Sequence, residues 1–318
     1  MFELWIWLAV FVISMIVLVK SSDYFTDTAE EIGIFLGIPP FMVGVTIVAI
    51  GTSLPELISS IMAMINNSPD IVVGNVVGSN IANIFLVLGI MAILSKKIIL
   101  SYDLIGIDVP MLIGSAILLV IALWDGTFSF FETLVFLGGL VLYFAYNIAS
   151  KREIARKESD KEGKRIRDLP FKTLFILTLS ALMIYFGAKY TVESVVELSK
   201  ILNIGIVIIA STAVAVGTSL PELAVTIMAI KKGTSEMAIG NILGSNVFNT
   251  FGVLGIAGLL GNVTVPPIIK LVGIPFMLAA TIMYFFITLD NKITKWEGWL
   301  LILFYIMFIG YTLMSVGL

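Results

Sequence analysis

Ten apolar segments, each close to the length of a membrane-spanning helix, recur along this chain of 318 residues. A helix that crosses the hydrocarbon core of a bilayer needs about 20 mostly apolar residues. Only 13% of the residues are charged, whereas soluble domains carry roughly 25%. The polar stretch Ser21–Ile38 is predicted to extend the first span as an amphipathic helix. We therefore predict an all-α, polytopic membrane protein whose partner is the lipid bilayer, with ten transmembrane helices at 3–20, 41–65, 71–94, 104–123, 128–149, 171–188, 205–230, 236–260, 268–289 and 297–316.

The two halves of the chain repeat one sequence pattern. TIVAIGTSLPELISSIMA at 46–63 returns as TAVAVGTSLPELAVTIMA at 212–229, and GNVVGSNIANIFLVLGI at 74–90 returns as GNILGSNVFNTFGVLGI at 240–256. Both pairs are 166 residues apart, which indicates duplication of a five-span unit. Because five is an odd number, the second unit must enter the membrane from the opposite side, as in transporters built from inverted-topology repeats.

A charged segment divides the repeats and indicates the orientation of the chain. We predict a first five-helix repeat at 1–149, a charged loop at 150–170 and an inverted second five-helix repeat at 171–318. With ten spans, 16 of the 19 lysine and arginine residues fall in alternate loops, and loops rich in these residues face the cytoplasm. We therefore expect a multi-pass protein of the cell membrane with loop 150–170 in the cytoplasm and both termini outside.

The chain contains no cysteine and no histidine. Disulfides, thiolate nucleophiles and imidazole metal ligands are therefore excluded. Any cation site must be made of oxygen atoms, which suit hard ions such as Na⁺ and Ca²⁺. No basic stretch interleaved with aromatic residues indicates nucleic-acid binding, and we expect no cofactor, no protein partner and no enzymatic activity.

The segment GTSLPE at 51–56, repeated at 217–222, places glycine and proline four residues apart inside an apolar helix. Proline lacks a backbone N–H and disfavours the preceding turn, so each helix should kink or unwind here. The carbonyl groups of 49–52 and 215–218 would then lose their helical partners, which is tolerated in a bilayer only beside protein or a water-filled cavity. Bound cations would satisfy these carbonyl groups.

Glu56 and Glu222, which end the two GTSLPE segments, are the only acidic residues deep inside the predicted spans. A carboxylate at such depth costs about 2.5 kcal/mol or more on insertion scales and is a functional hypothesis by default. No lysine or arginine lies at mid-span to pair with them. This absence disfavours a structural ion pair and favours cation binding.

A second group of polar residues follows each GTSLPE segment. Ser79 and Asn83 are one helical turn apart and share a helix face, as do Ser245 and Asn249. Serine and asparagine in membrane helices commonly form interhelical hydrogen bonds, but these four recur beside the carboxylates, and we predict that they are neutral ligands. The remaining small and polar residues of the blocks are assigned to helix–helix contact: Asn75, Asn80, Asn241 and Asn246, with Gly74, Gly78, Gly240 and Gly244 at G-x-x-x-G spacing.

The charge of this candidate site indicates which ions it would take. Two carboxylates supply a charge of −2, which one Ca²⁺ neutralises, and Ca²⁺ takes about six to eight oxygen ligands. Na⁺ accepts the same oxygen atoms with half the charge, so several Na⁺ must replace one Ca²⁺. Competition for shared ligands is what exchange requires.

The paired GTSLPEL and GN-x-x-GSN blocks resemble the two alpha repeats of the sodium/calcium exchangers, prokaryotic type, within the cation/calcium antiporter superfamily. In this chain the repeats occupy 44–90 and 210–256. The resemblance implies a secondary antiporter that exchanges three Na⁺ for one Ca²⁺, electrogenically and by alternating access, with spans one and six sliding across the rest. It also implies four cation sites in a diamond between spans two, three, seven and eight.

The resemblance assigns ligands position by position. The implied Ca²⁺ site uses the side chains of Glu56 and Glu222 and the carbonyl groups of Thr52 and Thr218. The other implied ligands are Asn83 and Asn249 at the middle site and, at the flanking Na⁺ sites, Ser53, Ser79, Ser219 and Ser245 with the carbonyl groups of Ala49 and Ala215. Some relatives, including potassium-dependent exchangers, have aspartate where this chain has Asn249, so exchange independent of K⁺ is expected.

Three other functions compete with Na⁺/Ca²⁺ exchange. A Ca²⁺/H⁺ antiporter of the same superfamily is the nearest, because buried carboxylates can carry protons. Its usual motif has asparagine and alanine where this chain has Thr52 and Ser53, which favours Na⁺. A passive cation channel needs a continuous pore, whereas paired buried carboxylates favour occluded binding. An intramembrane enzyme would lack histidine, cysteine and a metal motif.

Overall fold

The structure, a computed structural model, describes residues 2–95, 97–99, 108–159, 171–201 and 219–315 and is mostly helical. In chain order the α-helices of this part are α1 (Phe2–Leu36), α2 (Pro40–Val43), α3 (Ala49–Thr52), α4 (Leu54–Ile65), α5 (Asp70–Ala82), α6 (Gly89–Leu94), α7 (Asp108–Ala122), α8 (Phe130–Ser159), α9 (Phe171–Ile201), α10 (Leu220–Lys231), α11 (Ser235–Phe248), α12 (Leu254–Gly258), α13 (Ile274–Thr288) and α14 (Lys295–Ser315). Four π-helical turns join or precede some of them: Gly44–Val48, Asn83–Leu88, Asn249–Val253 and Ile269–Gly273.

The described residues contain seven helices that are long and apolar enough to cross a membrane. One shorter apolar helix, Asp108–Ala122, accompanies them. The chain is therefore a multi-pass membrane protein, as predicted. The seven are Glu3–Leu36, Pro40–Ile65, Asp70–Leu94, Phe130–Asn147, Phe171–Leu198, Ile269–Thr288 and Lys295–Met314.

Predicted spans seven and eight are not among these seven helices. The first part of predicted span seven, 205–218, lies outside the described residues, and α10 is its remaining part. Predicted span eight corresponds to Ser235–Gly258, in which α11, a π-helical turn and α12 follow one another. All residues of α11 from Met237 to Phe248 are buried. Because this helix packs against protein, it can be rich in Gly, Ser and Asn and need not be as apolar as a helix that contacts lipid.

Two short antiparallel strand pairs connect distant loops. Strand β1 (Lys97–Ile99) pairs with β4 (Lys292–Thr294), with Ile98 opposite Ile293. Strand β2 (Thr127–Phe128) pairs with β3 (Val263–Thr264). Each pair therefore holds one loop of the first half against one loop of the second half.

Helices α1 and α9 pack along one another as a two-helix unit. The first of them runs without a break to Leu36, so the prediction that Ser21–Ile38 extends the first span is confirmed. The Thr191 hydroxyl of α9 donates to Ser14 Oγ of α1 at 2.9 Å. The buried apolar residues of this unit form a cluster separate from the main core and include Leu18, Phe25, Ala29, Ile184 and Ala188.

Glycines bring α11 into backbone contact with the helix that precedes the first GTSLPE segment. A Cβ atom on Gly240 would overlap the carbonyl oxygen of Phe41, and one on Gly244 would overlap that of Val45. This confirms the predicted close contact for the second pair of glycines. For Gly74 and Gly78 it stays a prediction, because the equivalent segment around 207–214 lies outside the described residues.

Gly240→Ala is expected to destabilise the protein. The added methyl group has no room against the Phe41 carbonyl, and overpacking of a tight contact costs about 1–3 kcal/mol. The measurement is the melting temperature of the purified protein in detergent. Gly138→Ala on α8 is the control, because a Cβ atom there meets nothing within 4 Å. Equal melting temperatures for the two variants would show that the α11 contact is looser than described.

Candidate cation site

The first GTSLPE segment interrupts its helix at the serine, and in the second segment a helix begins directly after the serine. Ser53 has φ −88° and ψ 4° and separates α3 from α4, and Ser219 has φ −94° and ψ 4° before α10 begins. Proline occupies the first turn of each following helix, where its missing N–H is tolerated. The predicted break is therefore confirmed at Ser53, and at Ser219 it stays a prediction because 202–218 lie outside the described residues. Glu56 and Glu222 lie in the first turn of α4 and α10. The helix dipole favours a carboxylate there.

One predicted consequence of the break is wrong. The Ala49 carbonyl was expected to lose its helical partner, but it accepts a hydrogen bond from Ser53 N–H at 3.0 Å. The reason is that the turn closes through Ser53 before Pro55 interrupts the hydrogen-bond pattern. A carbonyl oxygen has two lone pairs, so Ala49 keeps acceptor capacity for a cation.

The two glutamates are completely buried and have few partners. Glu56 Oε1 accepts a hydrogen bond from the Ser79 hydroxyl at 3.5 Å, and Glu222 Oε1 accepts one from the Ser53 hydroxyl at 3.3 Å. Within the described ranges, the Oε2 atoms of both residues have no hydrogen-bond partner and no lysine or arginine forms an ion pair with either. Two carboxylates with open coordination positions thus lie in a water-poor interior.

The halves of the chain meet at this site. Ser53 belongs to the first half and Glu222 to the second, so their hydrogen bond crosses the repeat boundary. The Thr52 hydroxyl also reaches the second half, donating to Asn241 Oδ1 at 3.0 Å and lying 3.4 Å from Ser245 Oγ. Glu56 also interacts electrostatically with Glu222. The sequence-predicted residues that these contacts bring together are Glu56, Glu222, Ser53, Ser79 and Ser245.

Asn83 and Asn249 occupy equivalent positions in the two repeats. Each begins a π-helical turn, and both side chains are fully buried. Neither amide has a hydrogen-bond partner among the residues that the structure describes. Buried amides are normally paired, and π-helical turns often mark functional positions. Ser219, also predicted as a ligand, is likewise buried, and its hydroxyl has no partner within the described ranges.

Asn75 and Asn241 form hydrogen bonds to the helices that carry the glutamates, α4 and α10. The sequence predicted only general helix–helix contact for these two residues. Asn75 Nδ2 donates to the Glu56 carbonyl at 3.1 Å and to Ser60 Oγ at 3.0 Å. Asn241 Nδ2 donates to Thr226 Oγ1 at 3.2 Å. Thr226 follows Ser60 by 166 residues, so both halves contain the same contact. The joint repetition of these two pairs was the signal that could have revealed it.

Two predicted ligands, Thr218 and Ala215, lie outside the described residues.

The sequence did not predict one buried acid. Asp108, at the start of α7 and inside predicted span four, is buried. Its electrostatic neighbours include Tyr143 and Tyr284.

The atoms of the site that can bind a cation are all oxygens. The amide nitrogens of Asn83 and Asn249 carry hydrogen and do not act as ligands. No group of three or more Asp or Glu residues that could hold a metal ion occurs in the described part of the chain. The charge of the site therefore comes from the two glutamates, with hydroxyl, amide and backbone oxygens around them. Such a donor set suits hard cations of low charge.

This chain is similar to known proteins over most of its length. A family model described as sodium/calcium exchanger protein matches residues 6–149 and 172–314. The sodium/calcium exchanger MaX1 of Methanosarcina acetivorans is 35% identical over 94% of this chain and 96% of its own length. The inner membrane protein YrbG of Escherichia coli is 32% identical over 82% of each chain. A solved structure of the sodium-calcium exchanger NCX_Mj, soaked with 2.5 mM Na⁺ and 10 mM Sr²⁺, superposes with a TM-score of 0.81 at 28% identity, covering 96% of this chain and 99% of the other.

Proposed function

The chain belongs to the sodium/calcium exchanger protein family, and from that premise we propose that it exchanges Na⁺ for Ca²⁺ by alternating access at the site of Glu56 and Glu222. The family consists of ion exchangers and not of enzymes. One observation carries the proposal: two fully buried glutamates, one from each half, lie in a shared oxygen-lined site where Ser53 of the first half contacts Glu222 of the second. A site that both halves share can open to either side when one half shifts relative to the other.

The proposed architecture has ten spans in two inverted five-helix repeats, 1–149 and 171–318, joined by the loop 150–170. The strand pairs support it. The β1 and β4 loops follow predicted spans three and nine, and both are assigned to the cytoplasmic side. The β2 and β3 loops follow predicted spans four and eight, and both are assigned to the outside. If the number of spans between two paired strands were wrong by one, those strands would lie on opposite sides of the membrane and could not pair. This is consistent with both termini outside and loop 150–170 in the cytoplasm.

The proposed Ca²⁺ ligands are the Glu56 and Glu222 carboxylates with the carbonyl groups of Thr52 and Thr218. Open Oε2 atoms on both glutamates support this assignment. The proposed flanking ligands for Na⁺ are Ser53, Ser79 and the Ala49 carbonyl on one side, and Ser219, Ser245 and the Ala215 carbonyl on the other. Asn83 and Asn249 lie at the middle position, where their buried amides offer neutral oxygen.

Uptake of ⁴⁵Ca²⁺ into proteoliposomes tests the proposed function. Vesicles are loaded in turn with Na⁺, K⁺ or a proton gradient and diluted into Ca²⁺ without the counter-ion. Uptake driven by internal Na⁺ alone is the expected result. Uptake driven by protons would instead identify a Ca²⁺/H⁺ antiporter, and uptake that follows the Ca²⁺ gradient without any counter-ion would identify a channel.

Exchange is expected to need no K⁺. Asn249 contributes no charge, so the site holds two negative charges and has no third carboxylate to neutralise with an additional cation. Na⁺-driven ⁴⁵Ca²⁺ uptake should proceed at an unchanged rate when choline replaces K⁺ on both sides of the vesicle. Uptake that stops without K⁺ and returns when K⁺ is restored would contradict this.

A further inference from the structure

Lys232, in the turn between α10 and α11, contacts α1 through three interactions. Its ammonium group lies 2.7 Å from Asp23 Oδ1 and 2.7 Å from Asp27 Oδ1. It also donates to the Asp23 carbonyl oxygen at 2.6 Å. The side chains of Lys232 and Asp23 are 19% and 33% exposed, so solvent screens their contact less than it screens an ordinary surface pair. Asp27 is 61% exposed and contributes the weaker of the two ion pairs.

These contacts cross the boundary between the α1–α9 unit and the helices that carry the candidate site. Elsewhere α1 meets those helices through apolar residues, such as Leu18 and Phe25 in the cluster with Val48 and Val225. Apolar contacts have no preferred direction, so two packed helices can shift along such a surface. A lysine held by two carboxylates and a carbonyl fixes one position, because its hydrogen bonds need defined distances.

A groove beside the candidate site's helix α10 ends next to Lys231, the neighbour of Lys232 in the chain. The groove, with a volume of about 140 Å³, runs between α1 and α10. It begins beside Leu220, two residues before Glu222, and ends beside Lys231. Its lining on the α1 side is Met15, Leu18 and Val19. Separation of α1 from α10 would widen this groove toward the face on which Lys232 lies.

The other half of the chain does not repeat the contact. At the repeat distance of 166 residues, Lys232 corresponds to Asn66, and Asp23 and Asp27 correspond to Lys189 and Glu193. Asn66 is exposed and, unlike Lys232, carries no charge that could form an ion pair with α9. The ion pairs therefore secure the two-helix unit at one face of the membrane only.

We propose that Lys232 is a one-sided latch, which holds α1 against the α10–α11 turn and favours the conformation in which the site is closed toward that face. The proposal rests on the exchange function proposed above. On the predicted orientation this face is cytoplasmic. Lys232 contacts neither ion and acts by positioning α1.

The chain has no cysteine, so one introduced cysteine reports on this face without interference. Ala224→Cys places a thiol in the groove. Its rate of labelling by a water-soluble maleimide is measured in oriented vesicles, with and without Lys232→Gln. We expect labelling to rise about fivefold, since loss of a partly buried ion-pair network shifts a two-state equilibrium by about that factor. Lys232→Arg should restore the slow rate.

Two controls separate the latch from general loosening. Lys292→Gln removes the same charge from an exposed residue of β4, which the predicted orientation puts at the same face and which does not line the groove, so the rate should stay unchanged. Ile58→Cys, the repeat equivalent of Ala224→Cys, reports on the opposite face, where labelling should not rise. Equal rates for Lys232→Gln and Lys292→Gln in protein that exchanges Na⁺ for Ca²⁺, or a rise at both faces, would overturn the latch. Absence of Na⁺-driven uptake by the unmodified chain would overturn the exchange function instead.

Discussion

Glu56→Gln and Glu222→Gln are each expected to abolish Na⁺-driven Ca²⁺ uptake. Glutamine keeps the shape of the side chain and removes its charge, while both positions are fully buried. Removing one partner of a buried charge pair costs about 3–5 kcal/mol, which corresponds to a loss of more than about a hundredfold in Ca²⁺ affinity. Because the glutamates come from equivalent positions of the two repeats, the two defects should be of similar size.

The measurement for these variants has two parts. Uptake of ⁴⁵Ca²⁺ in proteoliposomes gives the activity, and the melting temperature with and without Ca²⁺ reports binding, because a ligand of the folded state raises it. Both variants should remain folded and lose the stabilisation by Ca²⁺. Near-normal uptake by either variant would contradict the shared-ligand site.

Asp108→Asn is the matched control for the glutamate variants. It neutralises a buried acid inside a span, but Asp108 lies at the start of α7, where its electrostatic neighbours include Tyr143 and Tyr284. Exchange and stabilisation by Ca²⁺ should persist in this variant. If it also abolished exchange, removal of any buried acid would suffice, and the special role of the two glutamates would lose its support.

The sequence predicted the helix break at Ser53, the helix start at Leu220 and the equivalence of the glutamates because these depend on local chemistry and on the repeat. Proline at 55 and 221 disfavours a helix interior and favours a first turn, and the 166-residue offset makes Glu56 and Glu222 equivalent. Contacts between halves depend instead on tertiary packing. No spacing rule indicates that Ser53 reaches Glu222 or that Thr52 reaches Asn241.

The apolar pattern located predicted span eight, but it did not indicate that protein surrounds this helix. Helix α11 is buried from Met237 to Phe248, and its Gly240 and Gly244 contact backbone atoms. Its composition therefore reflects close packing and not lipid contact. Lys232 illustrates a related gap: its position in a predicted cytoplasmic loop was clear, but its partners on α1 are more than 200 residues away in the chain.

Net exchange is expected to move one charge per cycle. The two glutamates supply a charge of −2 whichever ion is bound, and the described part of the site contains no third acid. With one Ca²⁺ bound, the core is neutral, and with three Na⁺ it has a charge of +1. One charge that crosses the membrane potential contributes about 2.3 kcal/mol per 100 mV, or about a 50-fold change in the exchange equilibrium. A potential that is negative inside should therefore drive Na⁺ entry and Ca²⁺ extrusion.

Vesicles loaded with Na⁺ and clamped with valinomycin test this charge movement. When three Na⁺ leave the lumen and one Ca²⁺ enters, one net positive charge leaves the lumen. High external K⁺ makes the lumen positive and should speed ⁴⁵Ca²⁺ uptake severalfold, whereas high internal K⁺ makes it negative and should slow uptake. Equal K⁺ on both sides, with valinomycin present, gives the reference rate. Uptake indifferent to the clamped potential would mean that two Na⁺ exchange for one Ca²⁺ or that a proton moves with the cycle, because either would cancel the difference of one charge between the two loaded states.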